Sequence, residues 1–390
     1  MFTINTYNKI GQAGLDMYNK EKYVITDVLD QPDAIMVHSA PLHNVDMGKN
    51  LKAIVRVGAG VNTIPVDRLT EEGVVVFNTP GGNANAVKEL TIAAIVMISR
   101  NVEAAAAWVK GLNTTEPGKE VEKGKEAFRG PEIMGKKIGI IGVGSIGSRM
   151  AKACSDLGMD VLGYDPYLLP ARKKELRAYL NFTNDVDEIY KTCDYITIHV
   201  PLKDDTKDYI GKAQFEMMKP GVYLINYARG PVINNEAVVE ALNSGKVKAY
   251  ATDFPTAEQL ELKNVFATPH LGAGTPEADE NCAKMAAKQI IDYLENGNIV
   301  NSVNLPAVSF PRAAGARITL INHNKPGMLG TITEKVAAAG LNIENLVNKS
   351  RDSVAYTILD FDEDVTDELV EQLKAIDGVL RVRVLCYFNK

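Results

Sequence analysis

The chain has 390 residues, 46% of them hydrophobic and 24% charged, enough for two or three domains with cores of their own. A formal charge of −6 without a basic tract argues against nucleic acid as a partner, and the longest apolar stretch, around residues 90–98, is too short to span a membrane. Cys154, Cys193, Cys282 and Cys386 show neither metal-ligand spacing nor a disulfide framework, so no metal is expected; no secretory leader is visible in residues 1–10, and a cytoplasmic location is expected.

Along the first hundred residues short β-rich runs alternate with helical pattern. Residues 34–37, 53–57 and 74–77 are compact apolar runs suited to buried parallel strands, and 65–72 reads as a short helix stopped by Gly73. Two glycine-bearing loops follow strands here. In Asn78-Thr79-Pro80-Gly81-Gly82-Asn83, backbone N–H groups at Gly81, Gly82 and Asn83 near a helix start suit a carboxylate. In Arg56-Val57-Gly58-Ala59-Gly60, Arg56 beside Gly58 suits a second anionic group.

Residues 84–112 form one long, Ala-rich helical pattern, and 113–131 read as a mobile surface loop. A second βα series starts at 137, with six strands expected at 138–141, 160–164, 195–199, 222–226, 249–252 and 265–267, as in a doubly wound sheet. After its first strand comes Gly142-Val143-Gly144-Ser145-Ile146-Gly147, opening on a helix over 148–157. This spacing permits a tight turn, close approach of backbone to a pyrophosphate, and close helix–strand packing. Asp165 follows 18 residues after Gly147, where a carboxylate accepts from ribose hydroxyls and repels a 2′-phosphate, so NAD is expected rather than NADP.

The later strands also end in chemistry. Arg229, in Ala228-Arg229-Gly230, offers a guanidinium to a 2-keto or 2-hydroxy acid and to its carbonyl oxygen. Asp253 suits the nicotinamide carboxamide or, more plainly, a cap. His270, with an unperturbed pKa of roughly 6.5, suits reversible proton transfer near neutrality, and Glu258 would hold its imidazole. Glu261, one helical turn from Glu258, leaves the register of that carboxylate open, and His38, His43, His199 and His323 are read as structural.

Residues 276–296 are helical again, with Gly297 as a stop, and return the chain to the first unit. The expected division is 1–95 with 277–300 for substrate, 96–276 for the dinucleotide, 301–316 as linker and 317–390 as a self-contained tail. Within the tail, strand 317–322, helix 329–339, strands 343–349 and 354–360, helix 366–375 and strand 379–385 give the ferredoxin-like βαββαβ order. The fold class is thus α/β: two Rossmann- or flavodoxin-like parallel-sheet domains and a ferredoxin-like module.

Arg56-Val57-Gly58-Ala59-Gly60-Val61-Asn62, Phe77-Asn78-Thr79-Pro80, the glycine turn with Tyr164-Asp165-Pro166, Asn226-Tyr227-Ala228-Arg229-Gly230 and Thr268-Pro269-His270-Leu271-Gly272-Ala273 together carry a resemblance. Over its first 300 residues the chain resembles the D-isomer-specific 2-hydroxyacid dehydrogenases, most of all members acting on 3-phospho-D-glycerate. The tail resembles an ACT domain through Asn322-His323-Asn324-Lys325-Pro326-Gly327 and Gly340-Leu341-Asn342-Ile343. The resemblance implies oxidation of 3-phospho-D-glycerate to 3-phosphooxypyruvate, the entry step of L-serine synthesis, by an Arg229/Glu258/His270 site. It implies NAD contacts at Ser145, Ile146, Asp165, Ala228 and Asp253, with Pro166, Val200, Pro201, Tyr227, Gly272 and Ala273 beside them. It also implies a homodimer or homotetramer and L-serine as an effector at Asn322, Asn324 and Asn342. Two departures stand out: Gln259 follows Glu258 where the family often has proline, and serine-inhibited relatives carry histidine at the Asn322 position. Rival readings are a dehydrogenase for another D-2-hydroxy acid such as D-2-hydroxyglutarate, and an NAD-sensing protein without turnover.

Overall fold

The computed structural model describes residues 1–28, 31–312 and 315–385; Cys386 and residues 313–314 of the expected linker lie outside it. Two compact units form, 1–82 with 279–390, and 83–278.

In the first unit, β1 (Phe2–Tyr7), β2 (Tyr23–Thr26), β3 (Ala34–Val37), β4 (Ala53–Arg56) and β5 (Val75–Phe77) make an all-parallel sheet of order β2-β1-β3-β4-β5. That is the flavodoxin-like order of a doubly wound sheet. β1 and β2 escape the apolar-run criterion because Thr3, Asn5 and Thr6 interrupt β1, and β2 is a half-exposed edge. One face carries Ile35, Val37, Ile54, Val74 and Val76; the other packs on the helix Pro276–Asn296 through Ala283, Ala286, Ala287 and Ile290.

The second unit holds β6 (Lys137–Ile141), β7 (Asp160–Tyr164), β8 (Asn181–Phe182), β9 (Tyr195–Ile198), β10 (Val222–Asn226), β11 (Val247–Thr252) and β12 (Val265–Ala267). They are parallel, in the order β12-β11-β10-β9-β6-β7-β8. The strand order reverses between β6 and β9, the switch point at which such sheets bind ligands beyond their carboxyl ends. The sheet has seven strands, the two-residue β8 being too short to read from pattern.

Helix Ala84–Ser99 packs in this second unit, its Val87, Ala94, Ile95 and Ile98 meeting Ile138, Ile140 and Ile225. The long helical pattern over 84–112 is in fact two helices: Asn101 adopts the left-handed conformation (φ 49°) and Val102–Lys110 leaves at 68°. An exposed helix, Pro117–Gly124, and a 3-10 turn, Lys125–Phe128, occupy the stretch expected to be loop. Their charged side chains pair three residues apart, as in Lys119–Glu116 and Lys123–Glu120, a helix-forming pattern disguised by flanking Gly and Pro.

The tail forms β13 (Ala316–His323), β14 (Asn345–Arg351), β15 (Val354–Phe361) and β16 (Val379–Leu385), an antiparallel sheet of order β14-β15-β13-β16. Helices Met328–Ala338 and Asp367–Lys374 cover one face through Ile332, Val336, Leu369 and Leu373. The other face is not free. Ile321, Val354, Tyr356 and Ile358 share a core with Tyr293, Leu294, Ile299, Leu305 and Val308 of the α/β part of the same unit.

Candidate active site

The dinucleotide turn is built by three glycines with three different surroundings. Gly142 sits at φ 88°, and a Cβ there would lie 2.7 Å from the His199 carbonyl oxygen. A Cβ on Gly147 would come within 2.0 Å of the Gly142 oxygen, so the helix Ser145–Asp156 can start against the turn only without a side chain. At Gly144 a Cβ would meet nothing within 4 Å, which leaves open space where a pyrophosphate approaches the backbone. Asp165, following β7, accepts from Val143 N–H at 2.9 Å and Tyr167 N–H at 3.0 Å, one bond on each oxygen. A carboxylate has about four lone-pair sites, so both oxygens keep capacity for ribose hydroxyls. Val200 lies over the turn, its Cγ1 3.0 Å from where a Gly142 Cβ would be.

Arg229 is positioned by Asn226, a fully buried residue closing β10. The Asn226 side chain accepts from Ala228 N–H (3.1 Å) and donates to the Arg229 carbonyl (2.9 Å), pinning the turn Asn226–Arg229. The guanidinium donates to the Ala228 carbonyl at 2.7 Å, and burial pulls its pKa below the ordinary value. Its Cζ lies 6.0 Å from the centre of the Phe254 ring.

His270 neighbours the same ring, 4.7 Å from Phe254 between centroids and tilted 54°. Its φ of 54° is left-handed, a conformation that costs of order 1–3 kcal/mol in a non-glycine residue and needs support. Asp253 supplies that support. Its carboxylate, 3% exposed, accepts from the Thr268 hydroxyl, from Leu271 N–H (2.9 Å) and from Gly272 N–H (2.6 Å), gathering the turn on both sides of His270. The structure thus gives Asp253 three donors from the chain itself.

Glu258 lies in the one-turn helix Ala257–Leu260, capped by Thr256 in a capping box with Gln259. Its Oε2 accepts from Asn235 Nδ2 at 2.5 Å. Phe254 and Asn235 are the site residues that motif spacing did not single out; the only signal was their place beside Asp253 and at a helix start. Arg229, Asp253, Glu258 and His270 all belong to the second unit.

In the first unit the Arg56 guanidinium lies across Gly58, where a Cβ would fall 1.2 Å from its Nη1. Gly58 N–H donates to Thr79 Oγ1 (2.6 Å) and Asn78 donates to the Ala59 carbonyl (2.7 Å), so the two glycine-bearing loops are tied together. Gly81 takes φ 87°, and Gly82 packs on Cys282, whose Sγ would sit 2.7 Å from a Cβ. Asn83 precedes the helix Ala84–Ser99.

The remaining histidines have structural surroundings. His199 is half-buried, shares a hydrogen bond with Thr197 Oγ1 (3.0 Å), and has its pKa pushed down to about 4 by desolvation. His38 approaches Asp279 (3.7 Å), His43 the Asn62 carbonyl (3.0 Å) and His323 Glu71 (3.6 Å). The expected effector residues do not share one environment. Asn322 is 1% exposed and donates to the His323 carbonyl (2.7 Å), Asn324 donates to the Asp352 carbonyl (3.3 Å), and Asn342 is exposed.

Residues 92–272 match the family model of the D-isomer specific 2-hydroxyacid dehydrogenase, NAD binding domain, and 316–378 match the ACT domain. The D-3-phosphoglycerate dehydrogenase of Haemophilus influenzae is 32% identical, over 98% of this chain and 94% of its own length. The chain belongs to the D-isomer-specific 2-hydroxyacid dehydrogenase family. The Bacillus subtilis D-3-phosphoglycerate dehydrogenase is 30% identical over 100% of this chain and 76% of its own. Among solved structures, NAD-bound 3-phosphoglycerate dehydrogenase from Entamoeba histolytica superposes with a TM-score of 0.62 at 26% identity, covering 77% of this chain and 98% of that one. D-mandelate dehydrogenase from Rhodotorula graminis, at 22% identity and TM-score 0.67 over 79% of this chain and 99% of its own, shares the fold. As a member of this family the chain is an NAD-dependent oxidoreductase, and the open cradle at Gly144 with Asp165 beside it fits that dinucleotide. Among the described residues no single helix is long and apolar enough to cross a membrane.

Proposed function

We propose that this dehydrogenase oxidises 3-phospho-D-glycerate to 3-phosphooxypyruvate, the entry step of L-serine synthesis. The observation that carries the reading is the relationship to D-3-phosphoglycerate dehydrogenases along nearly the whole chain, joined to the meeting of Arg229 and His270 on one ring. NAD, held at Gly142, Gly144, Ser145, Ile146, Gly147 and Asp165, supplies the hydride acceptor when bound. His270 takes the proton of the C2 hydroxyl, and Glu258 favours the imidazolium so formed. Arg229 holds the substrate carboxylate and the oxygen that becomes a carbonyl. Arg56, with the N–H groups around Gly81 and Gly82, is assigned to the remaining anionic group.

A steady-state assay of NADH formation tests this. His270→Ala and Arg229→Ala are each expected to lower kcat/KM by at least about a hundredfold, the scale of lost acid–base catalysis. Near-wild-type values would sink the assignment. Arg56→Ala should raise KM for 3-phospho-D-glycerate much more than for D-2-hydroxyglutarate; equal effects favour the unphosphorylated substrate.

The enzyme is further proposed to be a cytoplasmic homodimer or homotetramer. Helices Val102–Lys110 and Pro117–Gly124 have no buried residue, and Val102 and Val109 are 38% and 46% exposed, which supports assembly through this arm. Sedimentation at micromolar concentration decides it, a monomer refuting the idea. L-serine is proposed as the effector of the ACT domain; calorimetric titration with L-serine and other amino acids separates regulation from a purely structural role.

A further inference from the structure

Three side chains of one short segment converge on a single amide outside it. Thr256, Glu258 and Gln259 belong to the turn that carries the proposed relay carboxylate; Asn235 is the first residue of the helix Asn235–Asn243. Asn235 Oδ1 accepts from Thr256 Oγ1 at 2.9 Å and from Gln259 Nε2 at 2.8 Å, and its Nδ2 donates to Glu258 Oε2 at 2.5 Å.

The orientation of that amide follows from its partners. Gln259 Oε1 accepts from Thr256 N–H at 3.3 Å, which turns the Gln259 NH₂ toward Asn235. Thr256 Oγ1 accepts from Gln259 N–H at 3.4 Å, leaving its own hydrogen for Asn235. Two donors therefore meet Asn235 Oδ1, and the NH₂ group is left facing the carboxylate. Asn234, one residue earlier, caps its own helix through Ala237 N–H (3.0 Å), so the backbone that presents Asn235 is itself fixed.

This matters because Ala257–Leu260 is a four-residue helix and Glu258 is an exposed side chain on it. A helix that short has little stability of its own, and a free glutamate there would sample several rotamers. We propose that Asn235 is the positioning residue of the relay: it holds Glu258 in one rotamer for His270. The inference rests on the reading of Glu258 as the carboxylate of the triad. It also accounts for an asparagine at this position. Aspartate would keep the two acceptor bonds but set a second negative charge against Glu258.

That asymmetry supplies the experiment. Asn235→Asp preserves the bonds from Thr256 and Gln259, removes the donor to Glu258 and sets a second carboxylate beside it; because Glu258 is exposed, that repulsion costs little stability and the variant should melt within a few degrees of the wild type. Its kcat for 3-phospho-D-glycerate oxidation should fall about tenfold, the scale of one hydrogen bond to a charged group, with KM changed less than twofold. Glu258→Gln should lower kcat at least as much. In the Glu258→Gln background, where the introduced amide can donate to the introduced carboxylate, Asn235→Asp should cost nothing further. Asn235→Ala, which also orphans Thr256 and Gln259, is expected to lower both kcat and melting temperature, and serves to show what a purely structural loss looks like. If Glu258→Gln keeps wild-type kcat, the triad reading fails and the positioning role with it. If Glu258→Gln is impaired but Asn235→Asp keeps wild-type kcat, or costs as much in the Glu258→Gln background as alone, the triad stands and the role of Asn235 is refuted.

Discussion

The Phe254 ring lies 6.0 Å from the Arg229 guanidinium carbon and 4.7 Å from the His270 ring, so one aromatic side chain walls both residues proposed to act on the substrate. It does so from a tight place, since a Cβ on Gly230 would come within 3.1 Å of the Phe254 Cβ. Aromatic pairs and cation–π contacts are each worth about 0.5–2 kcal/mol. Phe254→Leu, which keeps most of the volume, should therefore lower kcat/KM by roughly tenfold or more, while Phe254→Tyr keeps it near wild type; equal loss in both variants would mean that packing, not the ring, is what counts. His199 carries a second prediction. Desolvation depresses its pKa to about 4 in the folded state, against an ordinary value of roughly 6.5 when unfolded. The unfolded chain then binds the extra proton between those values, so stability is complete above about pH 6.5 and falls as the pH drops toward 4. Melting temperatures at pH 7.5 and 5.0 should differ less in His199→Gln than in the wild type. At this scale the sequence pointed to residues that close strands, and the structure brings Arg229 and His270 to one ring with Asp253 bracing the turn that carries His270. Phe254 and Asn235 were not legible in it, because each acts through a contact that only the folded turn creates.

The helix Pro276–Asn296 ends in an unusual cap. Of its last four carbonyls Tyr293 accepts from Gly297 N–H (3.0 Å), and arginines on the tail side of the unit donate to all four. Arg383 donates to Tyr293 (3.2 Å) and Leu294 (2.9 Å), Arg312 to Glu295 (2.6 Å) and Arg317 to Asn296 (2.8 Å); the Tyr356 hydroxyl donates to Gly297 (2.6 Å). On the same strand as Arg383, Arg381 donates to the carbonyl of Glu72, which closes the helix Val66–Glu71. Positive charge at a helix's carboxyl end is favoured by its dipole. Arg317 is also bidentate to Asp360 at 2.6 and 2.8 Å, with side-chain exposures of 0% and 2%. Removing one partner of such a pair typically costs about 3–5 kcal/mol, whereas replacing both by apolar residues recovers much of that. Arg317→Met should thus lose stability on that scale in urea unfolding, and adding Asp360→Leu should restore part of it. The part not restored reports the orphaned carbonyls of Asn296, Phe310 and Pro311. Full recovery would show that the ion pair alone matters and the cap does not. None of this was legible from sequence: an arginine in a β-run reads as an outward charge until a helix end is placed against it. The break at Asn101 was equally hidden, since asparagine enters the left-handed region without a glycine to announce it.

The parts recognisable from local pattern, the glycine turn and the βαββαβ order, are those whose periodicity is complete within a short window. What joins parts is not local. Read as sequence, residues 317–390 stand alone behind a linker; in the structure, Ile321, Val354, Tyr356 and Ile358 fill a core together with Tyr293, Leu294, Ile299 and Val308. Burying such side chains contributes about 1.5–3 kcal/mol each, comparable in sum with the whole stability of a domain. A chain ending at residue 300 would leave that face in water and the carbonyls of residues 293–296 without their arginines. The expected outcome is that residues 1–300 bind a hydrophobic dye and show no cooperative melting of the first unit by calorimetry, although every residue proposed to touch substrate is still present. A truncated chain that melts cooperatively within a few degrees of the full-length enzyme would show instead that the ACT domain is carried as an appendage. The physical ground for expecting the first result is that a sheet face shared between two parts of a unit cannot be removed as a surface; it is removed as a core.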